Sequence, residues 1–139
     1  FPDGLPPVWC SPSLRCRRLA DVLNVPYRTD ARLMELNFGL WEGRTWEELD
    51  SPEARHWGDN WQTAAPPGGE SLPELLARLH DFLAEIESGD ALLITHAGPI
   101  RAIHHLLLGE SLEAAFRRPV GHGELLRCAR KTPELRTGL

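Results

Sequence analysis

The sequence contains only three cysteines, Cys10, Cys16 and Cys128, and no Cys-x-x-Cys pair. This number and spacing exclude a disulfide framework and argue against a structural zinc site. His104 and His105 are adjacent, so on a helix they would point in different directions and could not chelate one ion together. We therefore expect a reduced, cytoplasmic protein without a metal site, in which Cys10 and Cys16 behave as small buried hydrophobes.

Long apolar runs and an excess of basic residues are also lacking. No run approaches the roughly 20 residues of a membrane-spanning helix, and no signal-peptide pattern opens the chain. The formal net charge of −5 argues against a general binder of nucleic acid or anionic membranes. Arg17 and Arg18 are expected on a solvated helix face. With 139 residues, 42% of them hydrophobic, the chain is long enough for one domain with a real core.

The pattern that organises the chain spans residues 90–109, DALLITHAGPIRAIHHLLLG. The unbroken apolar run at 91–94 predicts a strand buried on both faces of a parallel sheet. Pro99 is predicted at the first position of a following helix, and Gly109 is predicted to end it. The apolar positions of that helix are Ile100, Ile103, Leu106 and Leu107.

His96 lies where this strand ends and the helix begins. A helix N-terminus attracts anions, phosphate above all, and ligands of open α/β sheets bind beyond the carboxyl ends of the strands. His96 is therefore a candidate nucleophile, acid–base or phosphate hydrogen-bond donor. The alternative is a histidine that only caps the helix or hydrogen-bonds to nearby backbone.

The same order of strand, turn and helix occurs near the start of the chain. Residues 8–10 predict a strand, Ser11 an N-cap and Pro12 the first helical position. Arg15 falls in the first turn, close to His96 if both strands share one sheet, and arginine suits bidentate phosphate binding. The buried stripe of this helix is predicted to be Leu14, Leu19, Val22 and Leu23.

A second, more exposed strand is predicted at residues 26–33, followed by a segment rich in aromatic, acidic and glycine residues at 33–43. That composition is typical of a backbone bent around a site, which makes Glu35 a candidate acid or base. A helix-capping or salt-bridged surface acid explains Glu35 equally well. Residues 46–60 are polar and helical in propensity, with tryptophans that follow no core stripe, which favours a lid over a cleft.

A strongly amphipathic helix follows, beginning with the capping-box pattern of Ser71 and Glu74. Glu74 and Arg78 are expected to pair on its solvated face, His80 to be solvated, and Gly89 to end the helix. Its apolar positions are Leu72, Leu75, Leu76, Leu79, Phe82, Leu83 and Ile86. Further on, the sequence predicts a short helix at 112–116, and antiparallel edge strands at 125–129 and 135–138.

Four segments, in this order, resemble one family: CSPSLRCRRLA at 10–20, MELNFGLWEG at 34–43, PPGGES at 66–71 and LLITHAGPIRAI at 92–103. They are similar to the histidine phosphatase superfamily, with its phosphoglycerate-mutase-like fold. The resemblance implies a single α/β domain over 1–139, a three-layer sandwich of a mostly parallel sheet flanked by helices, with a small helical lid at about 44–70. The lid sequence at 51–71 further resembles that of the alpha-ribazole phosphatases, enzymes of cobalamin nucleotide-loop assembly.

The resemblance also assigns roles to residues. Arg15 matches the arginine that grips the phosphoryl oxygens, Glu35 the acid that protonates the leaving alcohol, and His96 the second histidine, which stabilises the transferring phosphoryl group. The N–H of Ala97 is expected to add a backbone donor, and no metal or cofactor is implied. Supporting positions, beneath the lid or at the pocket rim, are Glu70, Ser71 and His122.

One family feature is missing: no Arg-His-Gly, whose histidine becomes phosphorylated, occurs in the 139 residues. Without the central strand that carries it, the neighbouring strands would have unpaired backbone N–H and C=O groups. Each such buried group would cost roughly 1–3 kcal/mol of stability, against a total stability of about 5–15 kcal/mol. We therefore expect a native upstream segment that carries the nucleophile.

The resemblance implies a phosphomonoester hydrolase that works through phosphohistidine, with alpha-ribazole 5′-phosphate as the leading substrate. A broad-specificity phosphatase or a phosphoglycerate mutase is the alternative within the class. A catalytically inactive domain that binds phosphate or phosphoproteins is the alternative outside it. The expected partner is a small phosphorylated substrate, not nucleic acid or membrane. An edge strand would permit a homodimer, which nothing in the sequence requires.

Overall fold

Three parallel strands form the centre of the fold in the computed structural model, which describes residues 6–86, 89–126 and 128. They are β1 (Val8–Cys10), β2 (Arg28–Thr29) and β3 (Leu92–Ile94), in the order β2-β1-β3. In this register Trp9 lies opposite Leu93 of β3 on one side and opposite Arg28 of β2 on the other. Because the strands are parallel, the ends of β1 and β3 meet at the same edge of the sheet.

The described ranges contain five α-helices. They are α1 (Leu14–Val22), α2 (Pro52–Asp59), α3 (Leu72–Glu85), α4 (Ala97–Leu108) and α5 (Leu112–Arg117). Single turns of 3₁₀ helix occur at Ala31–Leu33 and Gly39–Trp41. Within the residues described, we find no helix with the length and apolar character needed to cross a membrane.

The alternation of side chains along β1 divides the core into two layers. Val8 and Cys10 pack, with Ile94, against the small residues Cys16 and Ala20 of α1. Trp9 points to the opposite face, where its ring meets Phe82 of α3 edge-on at 5.6 Å. Helix, sheet and helix therefore form three layers, which confirms the predicted α/β architecture. The predicted burial of β3 on both faces is only partly correct, because Leu92 and Leu93 are half-buried.

Helix α3 supplies most of the larger core cluster. Its predicted capping box is present, with Ser71 Oγ accepting the N–H of Glu74 and the Glu74 carboxylate accepting the N–H of Ser71. The predicted apolar stripe is confirmed, since five of its seven members are buried: Leu72, Leu75, Leu79, Phe82 and Leu83. The helix ends at Glu85, so the prediction that Gly89 ends it is wrong. The prediction of a solvated His80 is confirmed.

The sequence-based account of α1 is wrong in two respects. Ser13 caps the helix by accepting the N–H of Cys16, so neither Ser11 nor Pro12 has its predicted place. The predicted buried stripe is exposed, with relative exposures of 54% for Leu14, 41% for Leu19, 81% for Val22 and 51% for Leu23. The helix instead turns Cys16 and Ala20 to the sheet, where small side chains let the helix pack closely.

The segment at 26–33 forms a strand only at Arg28–Thr29, both exposed, before the 3₁₀ turn that buries Leu33. Beyond α5, which confirms the predicted helix at 112–116, Leu125 and Leu126 are not in a strand. Cys128 is not in a strand either, so the prediction of a strand at 125–129 is wrong for its described residues. Positions 127 and 129, and the whole of the strand predicted at 135–138, lie outside the described residues.

Aromatic rings hold the predicted lid segment together. The Trp57 ring of α2 stacks on Trp46 at 5.6 Å and meets Phe38 and Trp41 edge-on at 6.1 and 5.9 Å. Trp61 packs at 5.6 Å against Phe116 of α5. The tryptophans that follow no core stripe in the sequence therefore form local ring clusters. Whether the segment closes over a cleft stays a prediction.

Candidate active site

His96 is the N-cap of α4 and lies two residues beyond the end of β3. The helix begins at Ala97, so Pro99 is its third residue and not its first as predicted. Gly109 ends the helix with φ +71°, as predicted. The neighbouring strand, β1, ends at Cys10, and α1 begins four residues later. Both helices therefore start at the carboxyl edge of the sheet, where an anion would find their N–H groups.

The structure brings Arg15 and His96 into direct contact. Arg15 Nη2 lies 2.9 Å from Nδ1 of His96, and His96 as a residue is only 5% exposed. The other ring nitrogen, Nε2, lies 2.8 Å from Ser11 Oγ and 3.7 Å from Cys16 Sγ. The arginine and histidine predicted to share one site are thus adjacent, and the burial predicted for Cys16 is confirmed.

Glu35 is bound to the same helix terminus. Its Oε2 accepts the N–H of Gly98 at 3.2 Å, and its Oε1 accepts the N–H of Leu36 at 2.8 Å. The carboxylate therefore lies close to the His96 ring, where the partial positive charge of α4 favours it. Capping, one of the explanations of Glu35 left open by the sequence, is observed, and this position is also next to the candidate site.

One N–H of this helix terminus remains for a ligand. Gly98 donates to Glu35, Pro99 has no N–H, and Ile100 donates to the carbonyl of His96. For the N–H of Ala97, the described part of the chain contains no hydrogen-bond partner. Ala97, Arg15 and His96 can therefore supply a backbone donor, a guanidinium and an imidazole to one anion.

A largely buried cross-link positions the segment that carries Glu35. Arg78 of α3 makes a two-pronged ion pair with Glu70, with bonds of 2.7 and 2.9 Å, and donates to the carbonyls of Arg32 and Glu35. The predicted Glu74–Arg78 pair is therefore wrong, because Glu74 is used in the capping box. Glu70 also accepts the N–H of Asn37, so its carboxylate connects Arg78 to the segment that carries Glu35, and its supporting role in the site stays a prediction.

The two remaining predicted positions, Ser71 and His122, differ in their burial and in their hydrogen bonds. Ser71 is buried and caps α3 immediately after Glu70. His122 is exposed in the turn after α5, and no hydrogen bond joins it to Arg15, Glu35 or His96 in the described residues. The sequence analysis did not assign Ser11 and Arg78 to the site. For Ser11 the position in the sequence could have indicated the site, because it directly follows β1 just as Thr95 directly follows β3.

Burial lowers the pKa of His96 below its ordinary value of 6.5. The nearby Glu35 carboxylate opposes this shift, and the cations Arg15 and Arg78 add to it. Burial likewise lowers the pKa of His104 on α4, assisted by Arg118 and opposed by Glu110. Both rings are therefore neutral in the folded protein at pH values where free histidine begins to take up a proton.

These two shifts predict a loss of stability in mild acid. Below about pH 6.5 the unfolded chain binds protons that the folded rings resist, so the free energy of unfolding falls as the pH falls. Thermal unfolding between about pH 7.5 and pH 5 checks this. His104→Gln should reduce the slope of stability against pH. A stability that stays flat over this range would contradict the prediction. The hydrogen bond to Arg32 lowers the pKa of Asp30, so this carboxylate affects the free energy of unfolding only at more acidic pH.

Comparison with known proteins identifies the class. The profile of the histidine phosphatase superfamily (branch 1) matches residues 3–136. The chain belongs to this superfamily. Its parallel sheet flanked by helices is the phosphoglycerate-mutase-like fold of the solved relatives.

Three relatives illustrate the range of names within the family. A Hydrogenobacter thermophilus protein named "Putative phosphoserine phosphatase 2" is 31% identical over 116 residues, 76% of this chain and 57% of its own length. A solved phosphoglycerate mutase from Thermus thermophilus is 38% identical, with a TM-score of 0.63, covering 74% of this chain and 60% of its own. The solved "putative alpha-ribazole-5'-P phosphatase" from Escherichia coli is 26% identical, with a TM-score of 0.74, covering 82% and 62%. The chain thus spans about three fifths of the length of these relatives.

Proposed function

We propose that the protein is a phosphomonoester hydrolase that works through a phosphohistidine intermediate. The observation that carries this proposal is the direct contact of Arg15 with His96 at the N-terminus of α4, next to the Glu35 carboxylate. Guanidinium, imidazole and helix N–H groups are the donors that stabilise a transferring phosphoryl group, and a carboxyl group can exchange a proton with the ester oxygen.

In this mechanism a histidine nitrogen attacks phosphorus, a new P–N bond forms and the bond from phosphorus to the ester oxygen breaks. Glu35 gives its proton to that oxygen, which leaves as an alcohol. Arg15, His96 and the Ala97 N–H hold the other oxygens through the transition state. Water then attacks phosphorus: a new P–O bond forms, the P–N bond breaks, inorganic phosphate and the free histidine are released, and Glu35 takes up one of the protons of the water. Most of the catalysis comes from positioning and from charge stabilisation.

We propose that the attacking histidine lies outside these 139 residues, on a strand that pairs with β3. No Arg-His-Gly occurs in the sequence. In the described residues β3 pairs with β1 alone, so its second edge can accept another strand next to His96. The three strands are contiguous, so an added strand would lie beside β3 and not between β1 and β3.

For the substrate we propose alpha-ribazole 5′-phosphate. The similarity to the Escherichia coli structure that carries this name and the lid-like sequence at 51–71 support it. The cluster of Trp46, Trp57 and neighbouring rings adds aromatic surface suited to a ligand with a flat base. The names of the other relatives make phosphoserine and phosphoglycerate the competing substrates.

Steady-state kinetics of the full-length protein test this proposal. Alpha-ribazole 5′-phosphate, phosphoserine and an aryl phosphate would be compared by phosphate release, and 3-phosphoglycerate by isomerisation. We expect hydrolysis of all three esters, with the highest kcat/KM for the ribazole ester. Equal kcat/KM values would indicate a broad phosphatase, and isomerisation without phosphate release a mutase. Phosphate binding without turnover would replace the hydrolase with an inactive phosphate-binding domain.

Gly98→Ala is expected to reduce turnover without unfolding the protein. A Cβ at this position would lie 2.1 Å from Glu35 Oε1, so the carboxylate must move away from α4. Alanine favours the helix, whereas a misplaced proton donor should lower kcat by up to roughly a hundredfold. The matched control is Gly58→Ala in α2, where the new Cβ would meet nothing within 4 Å beyond its chain neighbours and the backbone of its own helix. Full activity in Gly98→Ala would mean that the position of Glu35 is not used.

A further inference from the structure

The hydroxyl of Ser11 is fully buried beside the His96 ring. Its Oγ lies 2.8 Å from His96 Nε2, accepts the N–H of Ser13 at 3.3 Å and lies 3.3 Å from Met34 Sδ. The backbone N–H of Ser11 donates to the carbonyl of Ile94 at 2.8 Å. Ser11 is therefore fixed to the end of β3, two residues from the ring that it contacts.

These contacts are compatible with one neutral tautomer of His96. A guanidinium can only donate, so Nδ1, 2.9 Å from Arg15 Nη2, must accept and carries no proton. The proton is then on Nε2, which donates to Ser11 Oγ. This arrangement uses the full capacity of a hydroxyl group: bonds accepted from His96 and Ser13, and one donated to Met34. The opposite tautomer would set two donors against each other at Nδ1.

We propose that Ser11 is a positioning residue that keeps a proton on His96 Nε2, so that Nδ1 faces Arg15 in the free protein and takes up a proton when an anion binds. The proposal rests on the phosphate site described under Proposed function. An anion oxygen that enters between Arg15 and Nδ1 needs a donor from each. Nδ1 becomes a donor by taking one proton from solvent, while the bond from Nε2–H to Ser11 is unchanged.

A bound anion changes the balance between the charges that favour and those that oppose protonation of the His96 ring. Arg15 and Arg78 oppose a positive charge on His96, the Glu35 carboxylate favours it, and the Cys16 thiol contacts Nε2 at 3.7 Å. A bound dianion adds negative charge next to both His96 and Arg15. Affinity for a dianion that does not itself titrate, such as sulfate, should therefore fall by up to about tenfold for each pH unit above the pKa of the free ring.

Nitrogen-15 NMR of the histidine rings in the full-length protein tests this, with sulfate as the probe. In the free protein we expect the Nε2–H tautomer of His96, and with saturating sulfate a ring protonated at both nitrogens. Ser11→Ala leaves the Nε2–H without its acceptor, so that only the exposed side chain of Arg15 still favours this tautomer. The variant should therefore give a mixture of tautomers in the free protein and weaken sulfate binding by roughly threefold to tenfold. Ser13→Ala, a matched control that removes the cap of α1, should leave the tautomer of His96 unchanged.

A wild-type ring that carries its proton on Nδ1, or that gains no proton with sulfate, would overturn the proposal. An unchanged tautomer in Ser11→Ala would do the same. If that variant fails to fold, the two wild-type spectra still decide. The spectra require no turnover, so an inactive protein with the expected spectra would reject the hydrolase and keep this inference. An active enzyme in which His96 has the same tautomer with and without the Ser11 hydroxyl would keep the hydrolase and reject this inference.

Discussion

Replacing His96 with alanine is expected to lower kcat/KM for phosphate-ester hydrolysis by roughly 10²–10³-fold, the cost of losing one preorganised donor to a developing anionic centre. Two effects add to this. The ring is nearly fully buried, and its removal leaves Arg15 and Ser11 without their shared partner. Steady-state kinetics on an aryl phosphate, together with a thermal melt of the variant, measure the loss of activity and the loss of stability separately.

His80→Ala is the matched control, because that histidine is solvated on α3 and should have no effect on turnover. His96→Asn is the second variant, because an amide can place a donor near the position of Nδ1. We expect it to recover part of the activity and to abolish the pH dependence that comes from the ring. Near-normal kcat/KM in a folded His96→Ala protein would exclude His96 from the reaction.

Glu35→Gln is expected to lower kcat by roughly 10²–10⁴-fold for an alkyl phosphate, the usual contribution of a positioned proton donor. The amide oxygen can still accept the N–H of Gly98 or of Leu36, so the change removes the proton more than the contact. An aryl ester should be much less affected, because its phenolate leaves without protonation. The comparison of kcat for the two leaving groups is the measurement.

Glu42→Gln serves as the control for this substitution. Glu42 lies in the same segment, is exposed, and accepts the N–H of Phe38 at 2.8 Å. We expect its kinetics to match the wild type with both esters. If Glu35→Gln slowed the alkyl and aryl esters equally, Glu35 would be acting through the position of α4 and not through proton transfer.

The two strand–turn–helix units could be predicted because local signals coincide there. The apolar run at Leu92–Ile94 and the left-handed Gly109 mark one strand and one helix end, and the parallel arrangement then brings Arg15 next to His96. The capping box of α3 is likewise a local pattern. Such features depend on neighbours in sequence, which a single sequence displays.

What the sequence did not reveal depends on contacts between distant segments. Leu14 and Val22 are apolar but exposed, because α1 packs on the sheet through the smaller Cys16 and Ala20. Arg78 lies four residues after Glu74, yet it pairs with Glu70 and reaches carbonyls more than forty residues away. Choosing among several local partners requires the tertiary arrangement of the carbonyl groups, which no spacing rule supplies.

The most direct test is the structure of the full-length protein with orthovanadate bound. We expect the vanadate at the N-terminus of α4, with oxygens bonded to Arg15, to His96 Nδ1 and to the N–H of Ala97. We also expect the 2.9 Å contact between Arg15 and His96 to open and admit the anion. Vanadate bound elsewhere, with this contact still closed, would contradict the assignment of the site.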